Sequence, residues 1–508
     1  MKYWEECIVQ EASKLITRFE SYARQLADEH TRRQRRTTAA EPPLAPRRPS
    51  YWQLARGFDP YFVRANADRV SHAIRARIDQ HSYAPRNPAL HLVPKPSGGL
   101  REVSVFQVAD NAVSRQVFKA LMLKNRNKLS SRAYAYRDDV DAHDAVQYLA
   151  SELRDRRRVF VAEYDFSNYF ESISHDHIRR TLTDRRFLLT TREEAVIEGF
   201  LRAGPPRQPN LYVETGGAER TIGIPQGTSI SLFLANVAAW DLDRALERLG
   251  VSFARYADDT LIWSSDYGQV CEAVQNLHDL ADRIGANVNL KKSGGVRLLV
   301  PKGAPAEFSS TSSVDYLGHC FRLDNVAIKE SLIKKIKMRV QKLTYYNLVR
   351  APKLGVQDLS RLGRVDKDYV TFIWQLRRYM YGDVSERAIR RFGVRGVPAK
   401  RFRGVMSYFP FVDARDQLEE LDRWLVSQTF LALKRREHLL RAAGVSSLPD
   451  PHGLRCDQLA RFTRRSATTG GVLDLRIPSF RRMQELVAGG ARIHGASKVA
   501  RSPDYGYE

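Results

Sequence analysis

Two adjacent carboxylates stand in the segment Phe253-Ala254-Arg255-Tyr256-Ala257-Asp258-Asp259-Thr260-Leu261-Ile262-Trp263. Strand-type runs flank a tight Ala-Asp-Asp turn, so the segment reads as a β-hairpin with Asp258 and Asp259 at its tip. An Asp pair in a turn is by itself ordinary, because its side chains hydrogen-bond the local backbone. A second segment runs the apolar strand Val159-Phe160-Val161-Ala162 through Glu163 and Tyr164 into Asp165, and meets Phe170 five residues later. Carboxylates at two strand ends, distant in sequence, can converge on hard, oxygen-preferring cations such as Mg²⁺, with substrate phosphates completing the shell. Two such ions about 4 Å apart would clamp the attacking and leaving oxygens of an in-line phosphoryl transfer.

Two further segments suit phosphate handling. In Gly223-Ile224-Pro225-Gln226-Gly227-Thr228-Ser229-Ile230-Ser231 a Gly-Pro-Gly turn opens a helix expected over 232–240, whose N-terminal end can face an anion or a base pair. In His91-Leu92-Val93-Pro94-Lys95-Pro96-Ser97-Gly98-Gly99-Leu100-Arg101 a hairpin turn sets Lys95 and Arg101 on flanking strands, within reach of one polyphosphate. His175 and His177 follow Ser174, a plausible N-cap, with Asp176 in the first turn of the helix; that context favours structural histidines over metal ligands.

These residues need elements to hold them. The 508 residues allow three or four domains and a sizeable core. Residues 1–30 have the apolar spacing of an amphipathic helix. Arg32-Arg33-Gln34-Arg35-Arg36 and a proline-rich stretch to Pro49 follow, which reads as a linker, a flexible tether or an RNA-touching arm. From about residue 85 short apolar strands alternate with helices. After about 325 strand patterns fade and basic helices take over, with Ile333, Ile336, Val340 and Leu343 on one face and Lys334, Lys335, Lys337, Arg339 and Lys342 around the rest.

The net charge is +24, and residues 326–508 carry 36 basic and 18 acidic side chains, so this final third holds +18 of it. Such a field attracts polyanions, and arginine, dominant there, suits phosphates. The four cysteines, Cys7, Cys271, Cys320 and Cys456, have no zinc-site spacing. No apolar run reaches the roughly 18 residues of a membrane span, and the acidic start (Glu5, Glu6) is unlike a signal peptide. The expectation is a cytoplasmic protein with no membrane partner.

The order and spacing of these segments resemble the reverse transcriptase family over roughly residues 85–325. Lys95 and Arg101 match the basic fingers hairpin, Asp165 through Phe170 the first palm motif, Gly223 to Ser231 the Pro-Gln-Gly motif, and Tyr256-Ala257-Asp258-Asp259 the Tyr-x-Asp-Asp box. Asn289-Leu290-Lys291-Lys292-Ser293 resembles the lysine-bearing fourth palm motif, and Val314-Asp315-Tyr316-Leu317-Gly318-His319 the primer-grip turn.

The resemblance implies an α+β right-hand polymerase. An N-terminal helix and linker (1–50) precede fingers and palm (51–325) and a basic helical thumb and C-terminal domain (326–508). It implies RNA-directed DNA synthesis from dNTPs, with two Mg²⁺, or Mn²⁺ in their place, on Asp165, Asp258 and Asp259. Lys95 and Arg101 would contact the triphosphate, Gln226 and Gly227 would floor the nascent base pair, and Tyr256 would sit by the primer end. Phe170 would block a ribose 2′-OH. Lys292 would be the general acid for pyrophosphate, with Lys291 the competing choice.

Within the family the motifs are similar to prokaryotic enzymes. The sequence has no Cys/His endonuclease module, no Asn-Ala-x-x-His or Val-Thr-Gly signature, and no ribonuclease H or integrase segment. By elimination it is most similar to bacterial antiphage and abortive-infection reverse transcriptases. The expected partners are a structured non-coding RNA as template, the DNA product, and a second copy of the chain or an operon-encoded protein. An intron-type reverse transcriptase that assists splicing is one alternative; a catalytically silent RNA-binding protein with a polymerase fold is another. A hydroxyl of Tyr505 or Tyr507 is a candidate protein primer.

Overall fold

The computed structural model describes residues 2–95, 98–289, 293–382, 402–465 and 470–499, together with Val384, Ser385, Ala388 and Arg391. The N-terminal helix is longer than its periodicity predicts: α1 spans Lys2–Gln34 and buries Ile8, Ala12 and Ile16 at four-residue spacing. It packs on α2 (Pro60–Ala65), α3 (Ala67–Asp79) and α4 (Val108–Asn125), between which the hairpin β1 (Ala89–Pro94) and β2 (Leu100–Val105) projects.

The central sheet follows α5 (Ala142–Leu153). It begins at β3 (Val159–Tyr164), which leads into β4 (Phe166–Ser167) and the short α6 (Tyr169–Ser172). Helices α7 (His175–Asp184), α8 (Thr191–Arg202), α9 (Ser229–Ala238) and α10 (Trp240–Leu249) precede the hairpin β5 (Ser252–Tyr256) and β6 (Asp259–Ser264). Then come α11 (Tyr267–Ile284), β7 (Asn287–Val288), β8 (Val296–Leu299) and β9 (Ser310–Thr311). The strand order is β5-β6-β3-β8-β9, antiparallel except for β8 with β9. Alternate residues serve opposite cores: Val159, Val161, Leu261 and Trp263 face one, and Ala162, Tyr164, Phe253 and Ile262 the other. A sheet covered on both faces explains why these strands read as continuous apolar runs.

The meander β10 (Val314–Tyr316), β11 (His319–Phe321) and β12 (Val326–Ile328) crosses the expected boundary at 325, because the three residues of β12 are too few to show a period. Beyond it, α12 (Glu330–Thr344) buries Ile333, Ile336 and Val340 and exposes Lys334, Lys335, Arg339 and Lys342, the face division its spacing predicts. A π-turn over Tyr345–Val349, α13 (Arg350–Lys353), α14 (Lys367–Tyr381), α15 (Arg415–Ala442), α16 (Cys456–Leu459) and α17 (Phe480–His494) follow. A small hairpin, β13 (Thr463–Arg465) with β14 (Val472–Asp474), adds two short strands to this mostly helical region. Arg436 of α15 is fully buried and binds Asp366 at 2.7 Å and Asp368 at 2.9 Å. Among the described residues no helix is long and apolar enough to cross a membrane.

Candidate active site

The β5–β6 register pairs Tyr256 with Asp259, which leaves Ala257 and Asp258 as a two-residue turn. Ala257 sits at φ 60°, the left-handed region that such a turn demands. Asp259 is therefore not at the tip but is the first residue of β6. The β3–β6 register sets Tyr164 opposite Thr260, so Asp165, the next residue along, emerges beside Asp259. Asp165, Asp258 and Asp259 meet at one end of the sheet, each half-buried. Burial pushes the Asp259 carboxyl well above the usual range, and Glu163, Asp258 and Asp165 push it further, against an opposing pull from Lys329.

Two residues without an assigned role in the sequence hold this end together. Asn289 donates its backbone N–H to Asp165 O at 2.8 Å and its side-chain amide reaches Asp165 Oδ2 at 3.5 Å. That contact arises because β4 pairs with β7, a two-residue ladder no periodicity signals. Arg255 donates to the Ala257 carbonyl at 3.0 Å from beneath the turn.

All three donors are carboxylate oxygens, the chemistry that Mg²⁺ or Mn²⁺ favours. Among the described residues no group of three or more His, Cys, Asp or Glu is placed to hold a metal ion. Mg²⁺ usually takes one or two carboxylates and completes its shell with water and substrate phosphates, so the donors fit an ion that arrives with substrate. Crowded negative charge around Asp259 points the same way.

The Pro-Gln-Gly segment docks on both neighbours. Ile224 N donates to Phe170 O at 2.7 Å, Gly223 N to Ile173 O at 2.8 Å, and Ser104 N of β2 to Gln226 O at 2.7 Å. Gly227, at φ 114°, lies so close to β2 that a Cβ would stand 2.5 Å from Ser104 O. The Gln226 amide donates to Glu171 at 2.8 Å, while its buried Oε1 has no partner among the described residues. The following helix starts at Ser229, three residues earlier than predicted, and breaks after Ala238. Phe170 is 4% exposed and packs edge-on to Tyr169 and to half-buried Tyr136. Tyr256, the last residue of β5 before the turn, is half-buried, and burial, with Asp141 adding to it, pushes its hydroxyl up to about 12.

Arg101 lies on β2, half-buried, but Lys95 is in the turn after Pro94, exposed, rather than on a strand. Lys291 and Lys292 lie outside the described residues, as do Tyr505 and Tyr507. His175 and His177 are buried and spend a ring nitrogen each on a carbonyl, Gly223 O at 2.7 Å and Ala238 O at 2.9 Å, so both are structural.

Residues 93–321 match the family model "Reverse transcriptase (RNA-dependent DNA polymerase)", a little under half of the chain. The fold itself is α+β, with a five-stranded sheet between two cores. In particular, residues 93–321 are similar to reverse transcriptases. Two curated proteins of Saccharomyces cerevisiae are similar to it. The "Putative COX1/OXI3 intron 1 protein" is 26% identical over 161 residues, 30% of this chain and 18% of that protein. The "Putative COX1/OXI3 intron 2 protein" is 26% identical over 155 residues, 30% and 17% respectively. The chain thus spans under a fifth of the length of these relatives. Among solved structures, apo telomerase from Candida tropicalis is 10% identical, with 86% of this chain and 68% of that chain covered and a TM-score of 0.39. The RNA-dependent RNA polymerase of a human picobirnavirus is 16% identical, covering 47% and 43% at a TM-score of 0.30. Overlays this loose assign no residue correspondences.

Proposed function

We propose that the chain is an RNA-directed DNA polymerase that extends a 3′-hydroxyl with dNTPs, using Asp165, Asp258 and Asp259 as the metal-holding carboxylates. The observation that carries this reading is the meeting of the three carboxylates at one sheet end, together with a Gln226-Gly227 turn tied to the β1–β2 hairpin. A bound pair of Mg²⁺ or Mn²⁺ ions supplies charge neutralisation at the reacting phosphates. The chain's own residues do the rest. Arg101 and Lys95 bind the triphosphate from the hairpin, Gln226 and Gly227 support the new base pair, and Tyr256 positions the primer end. Phe170 limits space at C2′ of the sugar, and Lys292 gives a proton to the leaving pyrophosphate.

The template in this reading is a dedicated structured RNA, and the setting is antiphage defence in the bacterial cytoplasm. The charge of +18 on residues 326–508 supports a protein that grips RNA at many phosphates. A second reading, an intron-associated polymerase, is favoured by the names of the two yeast relatives. Sequencing the RNA that copurifies from the native operon separates the two: one enriched neighbouring transcript supports defence, and intron RNA supports the alternative.

The enzymatic reading is tested with Asp258→Asn/Asp259→Asn. Incorporation of each labelled dNTP should disappear while RNA affinity stays within about two-fold, since backbone contacts come from elsewhere. Full incorporation by the double variant sinks the reading.

A further inference from the structure

Two basic stretches, more than 300 residues apart in sequence, fold into one surface. Where the chain leaves α1 it runs along residues 350–361. Thr37 forms a bridge with Gln357, Thr38 N donates to Val356 O at 2.9 Å, and Arg361 donates to Arg35 O at 3.3 Å. Arg350 pairs with Glu41 at 3.1 Å, and Arg36 is buried. The arginine-rich arm is therefore not a free tether at the far end of the molecule; it is docked on the C-terminal region.

Residues 29–41 and 345–368 together contain nine Lys and Arg against five Asp and Glu. Two of those acids, Asp366 and Asp368, are fully buried under Arg436 and Arg361, so they offer nothing to a ligand. What faces outward is basic: Arg35, Lys353, Arg364 and Lys367 are all exposed. Aromatic rings stand among them. Tyr345 and Tyr346 on the π-turn are 39% and 48% exposed, and Trp374 on α14 is 58% exposed. The two elements are joined by an Asn347–Gln375 hydrogen bond of 2.8 Å, one residue from Tyr346 and one from Trp374. The Arg350 guanidinium lies 5.9 Å over the Tyr346 ring.

We propose that this composite of the α1 arm and residues 345–378 is a binding surface for single-stranded RNA. The inference rests on the polymerase reading only in taking RNA as the polyanion. Cations at a fixed backbone capture phosphates, and exposed rings beside them stack unpaired bases, the combination by which single strands are held without sequence preference. A protein partner would find its charges matched by one sign only. Because the arm is already docked, little ordering entropy is spent when the strand binds.

The test uses the full chain and a labelled 20-nucleotide oligouridylate, with duplex DNA of equal length beside it. In Arg35→Glu/Arg364→Glu/Lys367→Glu, affinity for the oligouridylate should fall at least ten-fold at 0.15 M salt. The slope of log K against log salt should shrink by about 2, since a single strand releases about 0.7 counterion per phosphate contact. Tyr346→Ala/Trp374→Ala should also lose about ten-fold but keep the slope, because stacking is not ionic. The charge-preserving Arg35→Lys/Arg364→Lys/Lys367→Arg should bind as the parent does, which separates charge from folding. Unchanged affinity in both the reversed and the aromatic variants overturns the proposal, and is also what a protein-docking surface would give. An equal loss toward duplex DNA overturns the single-strand assignment. A parent protein that binds RNA yet incorporates no dNTP would defeat the polymerase reading alone.

Discussion

Arg255 and Asp243 form a two-pronged ion pair sealed from water beneath the Ala257–Asp258 turn. The guanidinium donates from Nε and Nη2 to the two carboxylate oxygens at 2.7 and 2.6 Å, and both side chains are 1% exposed. Burial works to lower the guanidinium's pKa, and Asp243 beside it outweighs burial and raises it. Nη1 is left to hold the Ala257 carbonyl at 3.0 Å, and Asn236 Oδ1 accepts from both terminal nitrogens at 3.3 Å. A left-handed conformation costs a non-glycine residue about 1–3 kcal/mol, and this hydrogen bond offsets part of that at Ala257. One buried arginine thus fixes the backbone from which two candidate metal ligands project.

Arg255→Lys keeps the charge but cannot span both Asp243 oxygens and Ala257 at once. Single-turnover incorporation should fall at least ten-fold and the Mg²⁺ concentration for half-maximal rate should rise. Arg255→Met alone should cost about 3–5 kcal/mol, because Asp243 is left buried and unpaired. Arg255→Met/Asp243→Leu should regain most of that stability in urea unfolding without regaining the rate. A double variant at full rate would show that the turn does not depend on the bond.

Much of this arrangement is legible in the sequence because it rests on local signals. The hairpin around Asp258 shows as two apolar runs about a short turn, and α12 as a three- and four-residue spacing of Ile333, Ile336 and Val340. What escapes is what tertiary packing decides. Arg255 reads as one basic residue among 82, and only the approach of α10 brings Asp243 to it. Asn289 meets Asp165 through a two-residue ladder, too short for a period. The arm's docking on residues 350–361 joins segments that no local pattern relates. The early start of α9 has a similar cause: the Ser114 hydroxyl of α4 accepts from the Ile230 N–H at 2.9 Å, so a distant residue satisfies the first turn while Thr228 pairs with Ser114.

Phe170 is the candidate sugar gate, and its burial against Tyr169 and Tyr136 shapes the test. Truncation to alanine removes core volume and should cost about 3–5 kcal/mol, so Phe170→Val is the gentler probe. Both variants should raise the specificity constant for NTPs relative to dNTPs, because the discriminating element is a repulsive one. The ratio should rise more for alanine. A ratio unchanged in Phe170→Val, measured well below that variant's own unfolding midpoint, would remove Phe170 from the gate.

Asp366 anchors the C-terminal helices, and its acid dependence follows from its neighbours. Burial pushes its carboxyl up, but His452 at 3.1 Å and the Arg436 guanidinium prevail and hold it at about 2. An unfolded aspartate titrates near 3.9. Between roughly those two values the unfolded chain binds more protons than the folded one. The stabilisation is therefore complete above about pH 4 and is lost as pH falls through about 2. Two units correspond to about 2–3 kcal/mol. Asp366→Asn leaves Arg436 with Asp368 as its remaining carboxylate and should weaken hydrogen-exchange protection of α14 by about that amount at pH 7. The gap between parent and variant should narrow below pH 4 and close toward pH 2. A gap that stays constant across that range would mean that another carboxyl controls the acid stability of this region.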